Sequence, residues 1–248
     1  MSSQRDLGDI PRGRTCRGVH KLIVQYLLEL GDDFGSKRVL DIPCGGGELL
    51  ATLRRFFPKA ALKGADLTPP SEPPLDQWAQ VDASRPFSIF PEGTFNLVIS
   101  VSGVLEFDNT LTFLETLHQH LEPGGTLIVT DDNVMSIRDR LEFFFLGKVR
   151  HPYDIFVTPD QPSWKVIPIH NLVRNLEDAG FKVKDVRYVP IIPKDFLLLP
   201  LALVVFPIQM LYIHLSKTAM PLGKRRMMYP FAQLLSRHYL IIAERLPK

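Results

Sequence analysis

Three aspartates close short apolar runs in the first third of the chain: Asp41, Asp66 and Asp82. The first is followed by Pro43, Cys44 and three consecutive glycines, Gly45, Gly46 and Gly47. Glycine lets a backbone turn tightly and approach a ligand, and a helix that starts there offers free N–H groups. Residues 38–42 read as a short buried strand and residues 48–57 as a helix, so the unit is strand, glycine turn, helix. An ordinary strand-to-helix connection uses the same turn, so the acids carry the discrimination. In an open α/β sheet, ligands sit outside the carboxyl ends of the strands.

Asp66 falls nineteen residues after Gly47, near the spacing at which an acid grips a ribose diol. A dinucleotide fingerprint needs a third glycine where Leu50 stands. An acid at Asp41 is also poorly suited to a pyrophosphate and well suited to a cationic or amine-bearing ligand. That combination selects S-adenosylmethionine over a nicotinamide dinucleotide.

The elements that must position these acids follow from periodicity. A helix is expected over 19–30, ending at Gly31. Strands are expected over 38–42, 62–67, 95–101 and 126–130, with a third short strand ending at residues 80–83. The four prolines between 68 and 78 rule out a regular helix there. Further helices are expected over 111–121, 135–146 and 170–179, an irregular stretch over 155–165, and another strand over 181–189. The βαβαβ alternation predicts a doubly wound, parallel α/β sheet. One domain is expected over 1–248, with a polar arm or lid over 1–18 and an apolar, basic helical insertion over 194–237.

Charge is unevenly spread. From Lys194 onward, eight Lys or Arg stand against two acids, Asp195 and Glu244, so a tail of +6 is joined to a body of −4. This asymmetry points to an anionic partner. The basic residues cluster around the aliphatic stretch 196–215 and not among stacking aromatics, which argues for a lipid surface and against nucleic acid. That stretch is about long enough to span a bilayer. Residues 238–244 downstream read as a buried strand, however, and a spanning helix would strand it across the membrane. Pro200 and Pro207 are expected to break the run into two short pieces. An in-plane or re-entrant hairpin, with Lys217, Lys224, Arg225, Arg226 and Arg237 at the headgroups, is the expectation; packing on the domain or in a homodimer interface is the alternative. Two cysteines, Cys16 and Cys44, form neither a disulfide framework nor a zinc spacing, so no metal site is expected. The N-terminus lacks an apolar core of a secretory signal, and a cytoplasmic location, peripheral on the inner membrane face, is expected.

The run Leu40-Asp41-Ile42-Pro43-Cys44-Gly45-Gly46-Gly47 resembles the first motif of the class I S-adenosylmethionine-dependent methyltransferases, with Pro43 in place of a frequent glycine. Asp66, the pair Asp82-Ala83, the run 96–100, the loop 103–106 and the run 121–127 follow in that family's order. Residues 132–141 and 146–148 are further similar to methyltransferases of the bacterial methionine-biosynthesis W type and of polysaccharide and lipid pathways. The resemblance implies seven strands, the last antiparallel between the fifth and sixth. It implies cofactor contacts from Asp41, Pro43, Cys44, Gly45, Gly47, Asp66, Leu67, Asp82, Ala83, Ser100 and Val101, with Asp66 on the ribose and Asp82-Ala83 on the adenine amine.

The family often carries Glu-His after the fourth strand, where this chain has Glu106-Phe107. Candidates for a substitute base are Asp131, Asp132, His20, His170, His151 and Tyr153, with Asp131 and Asp132 favoured for their place beyond the fifth strand. The expected activity is O-methylation of a lipid-linked sugar or other amphipathic acceptor at a membrane surface. The alternatives are a soluble small-molecule acceptor under an insertion that acts as a lid, and a non-catalytic regulatory partner with the same fold.

Overall fold

The computed structural model describes residues 7, 10–31, 37–70, 76–104, 109–148 and 165–247. Helix α1 (Val19–Glu29) precedes strand β1 (Arg38–Asp41), helix α2 (Glu48–Phe56) and strands β2 (Ala61–Asp66), β3 (Gln77–Gln80) and β4 (Phe95–Val101). Helix α3 (Thr110–His120), strand β5 (Leu121–Asp132), helices α4 (Ile137–Leu146) and α5 (Ile169–Asp178) and strand β6 (Phe181–Tyr188) follow. A 3-10 turn (Pro193–Leu198), helices α6 (Leu199–Leu215) and α7 (Leu222–Met228) and strand β7 (His238–Arg245) complete the order.

The seven strands form one sheet in the order β3-β2-β1-β4-β5-β7-β6. Pairing is parallel from β3 through β5, and β7 runs antiparallel between β5 and β6. The inner strands β1, β4 and β7 are buried on both faces, so they read as largely apolar runs, with neighbouring residues pointing to opposite sides. The edge strands β3 and β6 are partly exposed. Val39, Leu97, Ile128 and Ile242 pack with α1 and α2 on one face. Leu40, Val98, Leu127 and Ile241 pack with α3 and α5 on the other. Chain order reverses between β1 and β4, which opens the crevice at their carboxyl ends.

Three elements depart from expectation. Strand β3 pairs Gln77–Gln80 with Lys63–Asp66, so Asp82 lies in the turn beyond the strand, not at its end. Strand β5 spans Leu121–Asp132, not 126–130, because Leu121 already pairs with Phe95 ahead of the Pro-Gly-Gly, and β7 carries the pairing on to Asp132. Helix α6 runs unbroken through Pro207. Pro200 sits in the first turn, where no N–H is needed, and Pro207 removes one backbone bond on an exposed side of the helix.

The 23 residues Pro193–Leu215, which contain an 18-residue window of mean hydropathy 2.3, are by length and composition able to cross a membrane. In the folded chain, α6 lies against the domain along one stripe. Ala202 is fully buried and Ile213 nearly so. Phe206 stacks edge-on against Phe231 with ring centroids 5.3 Å apart, and Gln209 receives a hydrogen bond from Arg140. The opposite face is apolar and open to solvent: Leu201, Val204, Ile208, Leu211, Tyr212 and Leu215. The chain then returns through α7 to β7 in the sheet, as the objection to a spanning helix requires.

Candidate functional site

A cleft of about 330 Å³ opens at the carboxyl ends of β1, β2 and β4. The glycine turn after β1 forms one wall. Gly45 takes φ +52° and Gly47, the residue before α2, takes φ +91°, left-handed values that a side chain would strain. Gly45 N–H donates to Asp66 Oδ2 at 2.8 Å, so the acid at the end of β2 clamps the turn that follows β1. Opposite the turn, Gly103 leaves no room for a side chain: a Cβ there would fall 2.4 Å from Pro43 Cδ and 2.8 Å from Ser100 Oγ. Ser102, just past β4, holds φ +56° and donates its N–H to Thr130. A non-glycine residue in that region costs backbone energy and marks a position fixed by its surroundings.

Asp41, Pro43, Cys44, Gly45, Asp66, Leu67, Asp82, Ala83 and Val101 line this cleft together with His20. Gly47 and Ser100 do not line it: Gly47 starts α2 behind the turn, and Ser100 is wholly buried beneath Gly103. Residues absent from the sequence reading also line it, among them Thr15, Glu48, Leu49, Ser84 and Ser102. Thr15 belongs to the segment expected as a mobile arm, and its Oγ1 lies 3.0 Å from Ser102 Oγ. Gly13, Arg14 and Thr15 of that segment line the cleft.

The electrostatics are acidic. Asp41 is 2% exposed, and its Oδ1 is buried without a hydrogen-bond partner among the described residues. Burial, reinforced by the nearby charges of Asp66 and Glu48, raises its pKa well above the ordinary carboxylate value. An orphaned buried acid is costly unless a donor or cation meets it. Asp82 is held by the N–H and Oγ of Ser84, which lower its pKa and fix its orientation in the turn. The Cys44 thiol is pushed up to about 12 by burial and by the Asp41 and Asp66 charges, so it stays neutral and is no nucleophile.

The chain matches a methyltransferase domain family over residues 16–186. It belongs to that family. The methyltransferase is 30% identical over 112 residues to the demethylmenaquinone methyltransferase of Thermus thermophilus, covering 42% of this chain and 51% of that one. It is 28% identical over 127 residues to the ubiquinone/menaquinone biosynthesis C-methyltransferase UbiE of Teredinibacter turnerae, covering 46% and 50%. The chain spans about half the length of these curated relatives. Among solved structures, an S-adenosylmethionine-dependent methyltransferase from Archaeoglobus fulgidus aligns with TM-score 0.56 at 18% identity, covering 92% of this chain and 96% of that one. Another from Mesorhizobium loti aligns with TM-score 0.53 at 15% identity, covering 89% and 96%.

The donor set of this cleft fits S-adenosylmethionine, the group expected from the sequence. A molecule carrying an ammonium and a sulfonium meets a cleft with four carboxylates, Asp41, Glu48, Asp66 and Asp82. The unpartnered oxygen of Asp41 offers the acceptor that an ammonium needs.

Of the base candidates among the described residues, only His20 lines the cofactor cleft. Its Nδ1 lies 2.7 Å from the carbonyl oxygen of Pro11, which can only accept, so Nδ1 carries the proton and Nε2 keeps its lone pair. Burial lowers its pKa and favours this neutral form. Asp131 and Asp132 stand at the end of β5 outside the cleft lining. Asp131 accepts from Tyr239 Oη at 3.5 Å and Asp132 from His238 Nδ1 at 3.0 Å. His170, at the start of α5, lies 3.0 Å from Tyr229 Oη in a separate cleft. His151 and Tyr153, like Glu106 and Phe107, lie outside the described residues. The Asp132–His238 pair escaped the sequence reading because 106 residues separate its members. The antiparallel register that pairs Asp132 with His238 is the only signal for it.

Several of the tail's cations have partners within the chain. Arg237 grips Asp195 through two hydrogen bonds of 2.6 and 2.7 Å, Lys224 pairs with Glu177, and Arg225 donates to the carbonyls of Ile213 and Ser216 at the end of α6. Arg226 contacts His214. Lys217 stays exposed.

Proposed function

We propose that this methyltransferase acts at a membrane surface on an amphipathic acceptor, a small reactive head attached to an apolar chain. The observation that carries the reading is the uncovered apolar surface. Besides the open face of α6, it includes Leu197 at 84% exposure and the end of α4, where Phe143, Phe144 and Phe145 project, Phe144 at 78%. The 3-10 turn before α6 packs against α4, so these side chains belong to neighbouring elements. Surfaces of this kind on a soluble domain mark a membrane or a partner. Two relatives are named for quinone methylation, and a quinone bearing an apolar chain is an acceptor of this kind. Those names favour a quinone-type ring over the lipid-linked sugar expected from the sequence. The reading of the insertion as a lid over a soluble acceptor has less support, since no residue of 194–237 lines the cofactor cleft among the described residues.

Within this reading, S-adenosylmethionine supplies an electrophilic methyl group on a good leaving group. The chain's own residues bind, orient and exclude water. Asp41 and Asp66 hold the cofactor's charged and ribose ends, and the segment around Thr15 lines the cleft. His20 Nε2, neutral and directed by Pro11, takes the proton that the acceptor must lose. The test is incubation of the enzyme with methyl-labelled S-adenosylmethionine and a membrane lipid extract. Label in the organic-extractable fraction, with the enzyme co-sedimenting with anionic liposomes, supports the proposal. Label confined to water-soluble products, from an enzyme that stays in the supernatant at low salt, overturns it.

A further inference from the structure

A second cleft, of about 700 Å³, lies between α6, α7, the start of α5 and the first turn of α4, and shares no lining residue with the cofactor cleft. Its size falls in the range of small-molecule pockets. The walls are apolar, built by Val205, Ile208 and Ile213 of α6 and by Met220 and Met228. Three cations reach it, Arg140, Lys217 and Arg225, and among the described residues the lining contains no acid. The segment carrying α6 and α7 joins the end of β6 to the start of β7, which runs antiparallel to β5 and β6. This cleft therefore lies at the carboxyl edge of the parallel strands, as the cofactor cleft does.

The cations are not neutralised from within. Arg140 donates its Nε to the Met135 carbonyl at 2.9 Å and an Nη to Gln209 Oε1 at 2.8 Å, both uncharged acceptors. Burial lowers its pKa, opposed by Tyr229 and, among the described residues, by no carboxylate. Arg225 spends one Nη on the end of α6, while its Nε is buried with no partner among the described residues. A buried guanidinium without an anion is costly, and an apolar cavity beside it is costly to leave to water. Both costs fall if one ligand brings a charge and a chain together. Three cations with no opposing acid match a dianionic head better than a single carboxylate.

We propose that this cleft binds one single-chain amphiphile with a phosphate head, its chain against α6 and its phosphate oxygens on Arg140, Lys217 and Arg225. The exposed face of α6 adjoins the site, so a lipid leaving a bilayer on which α6 rests enters without crossing water. The site is separate from the cofactor cleft and stands whether or not the acceptor is amphipathic.

Isothermal titration of the full chain with monomeric dodecyl phosphate tests it, with a neutral dodecyl ether and inorganic phosphate as comparison ligands. One equivalent of dodecyl phosphate should bind at least ten-fold more tightly than either. Arg140→Gln should weaken it ten-fold or more, and Lys217→Gln, on an exposed residue that cannot unfold the chain, about three-fold. S-adenosylmethionine affinity serves as the fold control and should not move in either variant. Absent binding of dodecyl phosphate, equal binding of the neutral ether, or unchanged affinity in both variants overturns the proposal. Failure of the acceptor assay leaves these readings unaffected, so the two ideas fail separately.

Discussion

At the β1–β2 end of the sheet's carboxyl edge, four carboxylates and a glycine turn enclose a small polar cleft; beyond β5, α4 and α6 present aromatic and aliphatic side chains to solvent around a larger cleft lined by cations. The first region pulls in a cationic cofactor. The second suits apolar chains and anions. The enzyme thus separates its two recognition tasks by charge: what attracts S-adenosylmethionine repels a phosphate-headed amphiphile, and the reverse. Changes made in one region should leave the other region's ligand untouched, and every variant below is chosen to break or sharpen that separation.

The largest effect is expected at His20. Replacing it with Gln should lower turnover by about 10²–10⁴-fold, the usual contribution of a general base, while cofactor affinity holds. A rapid-quench assay with saturating S-adenosylmethionine reads this directly, and unchanged turnover would remove His20 as the base. The sign of its pH dependence follows from its lowered pKa. Between 6.5 and that lower value the folded imidazole stays neutral while an unfolded one protonates. Activity should therefore persist as pH falls below 6.5, whereas stability, complete above 6.5, is lost progressively in that same window.

Asp66→Ala comes next, with a loss of cofactor affinity of roughly a hundred-fold, because it removes both a ligand contact and the acceptor for Gly45 N–H. Titration calorimetry measures it, with circular dichroism checking the fold. Asp41→Asn should cost about 1.5–3 kcal/mol of cofactor binding and yet raise the melting temperature, since it removes a buried charge that the empty fold leaves unmatched. The sign is opposite to that of a paired carboxylate. With a folded pKa above the unfolded 3.8, the wild type is more stable below that value and loses stability as pH rises through the folded pKa. A lower melting temperature in Asp41→Asn would mean that the acid has a partner in the ligand-free protein.

The smallest effect on the cofactor cleft is expected from the other region. The double substitution Val204→Glu/Leu211→Glu, on the open face of α6, should change stability by no more than about 0.5 kcal/mol and leave cofactor affinity unchanged. The same variant should abolish sedimentation with anionic liposomes. Retained sedimentation would show that α6 is not the docking face.

The contrast also explains what could be read from the residues alone. The glycine turn and Asp41 lie within one strand–turn–helix unit, where residue type constrains the backbone directly, and Asp66 closes the strand that follows it, 21 positions after Gly45. Asp82 was misplaced by only a few residues, because a strand as short as β3 has boundaries set by its partner β2, not by its own pattern. Thr15 and Ser102 meet across 87 positions and His238 and Asp132 across 106, and no local periodicity carries such pairings. The continuity of α6 through Pro207 was hidden for a similar reason. Proline's local cost is visible in sequence, but the stripe of Ala202, Phe206 and Ile213 that docks the whole helix appears only once its partners are in place. The pairing of Arg237 with Asp195 was not legible because the two lie 42 positions apart.

The most direct measurement is titration of the purified chain with S-adenosylmethionine at low ionic strength, repeated with Asp66→Ala and with Val204→Glu/Leu211→Glu. Saturable one-to-one binding that is lost in the first variant and unchanged in the second is expected. No binding to the wild type, or equal loss in both variants, would contradict a cofactor site confined to the acidic cleft.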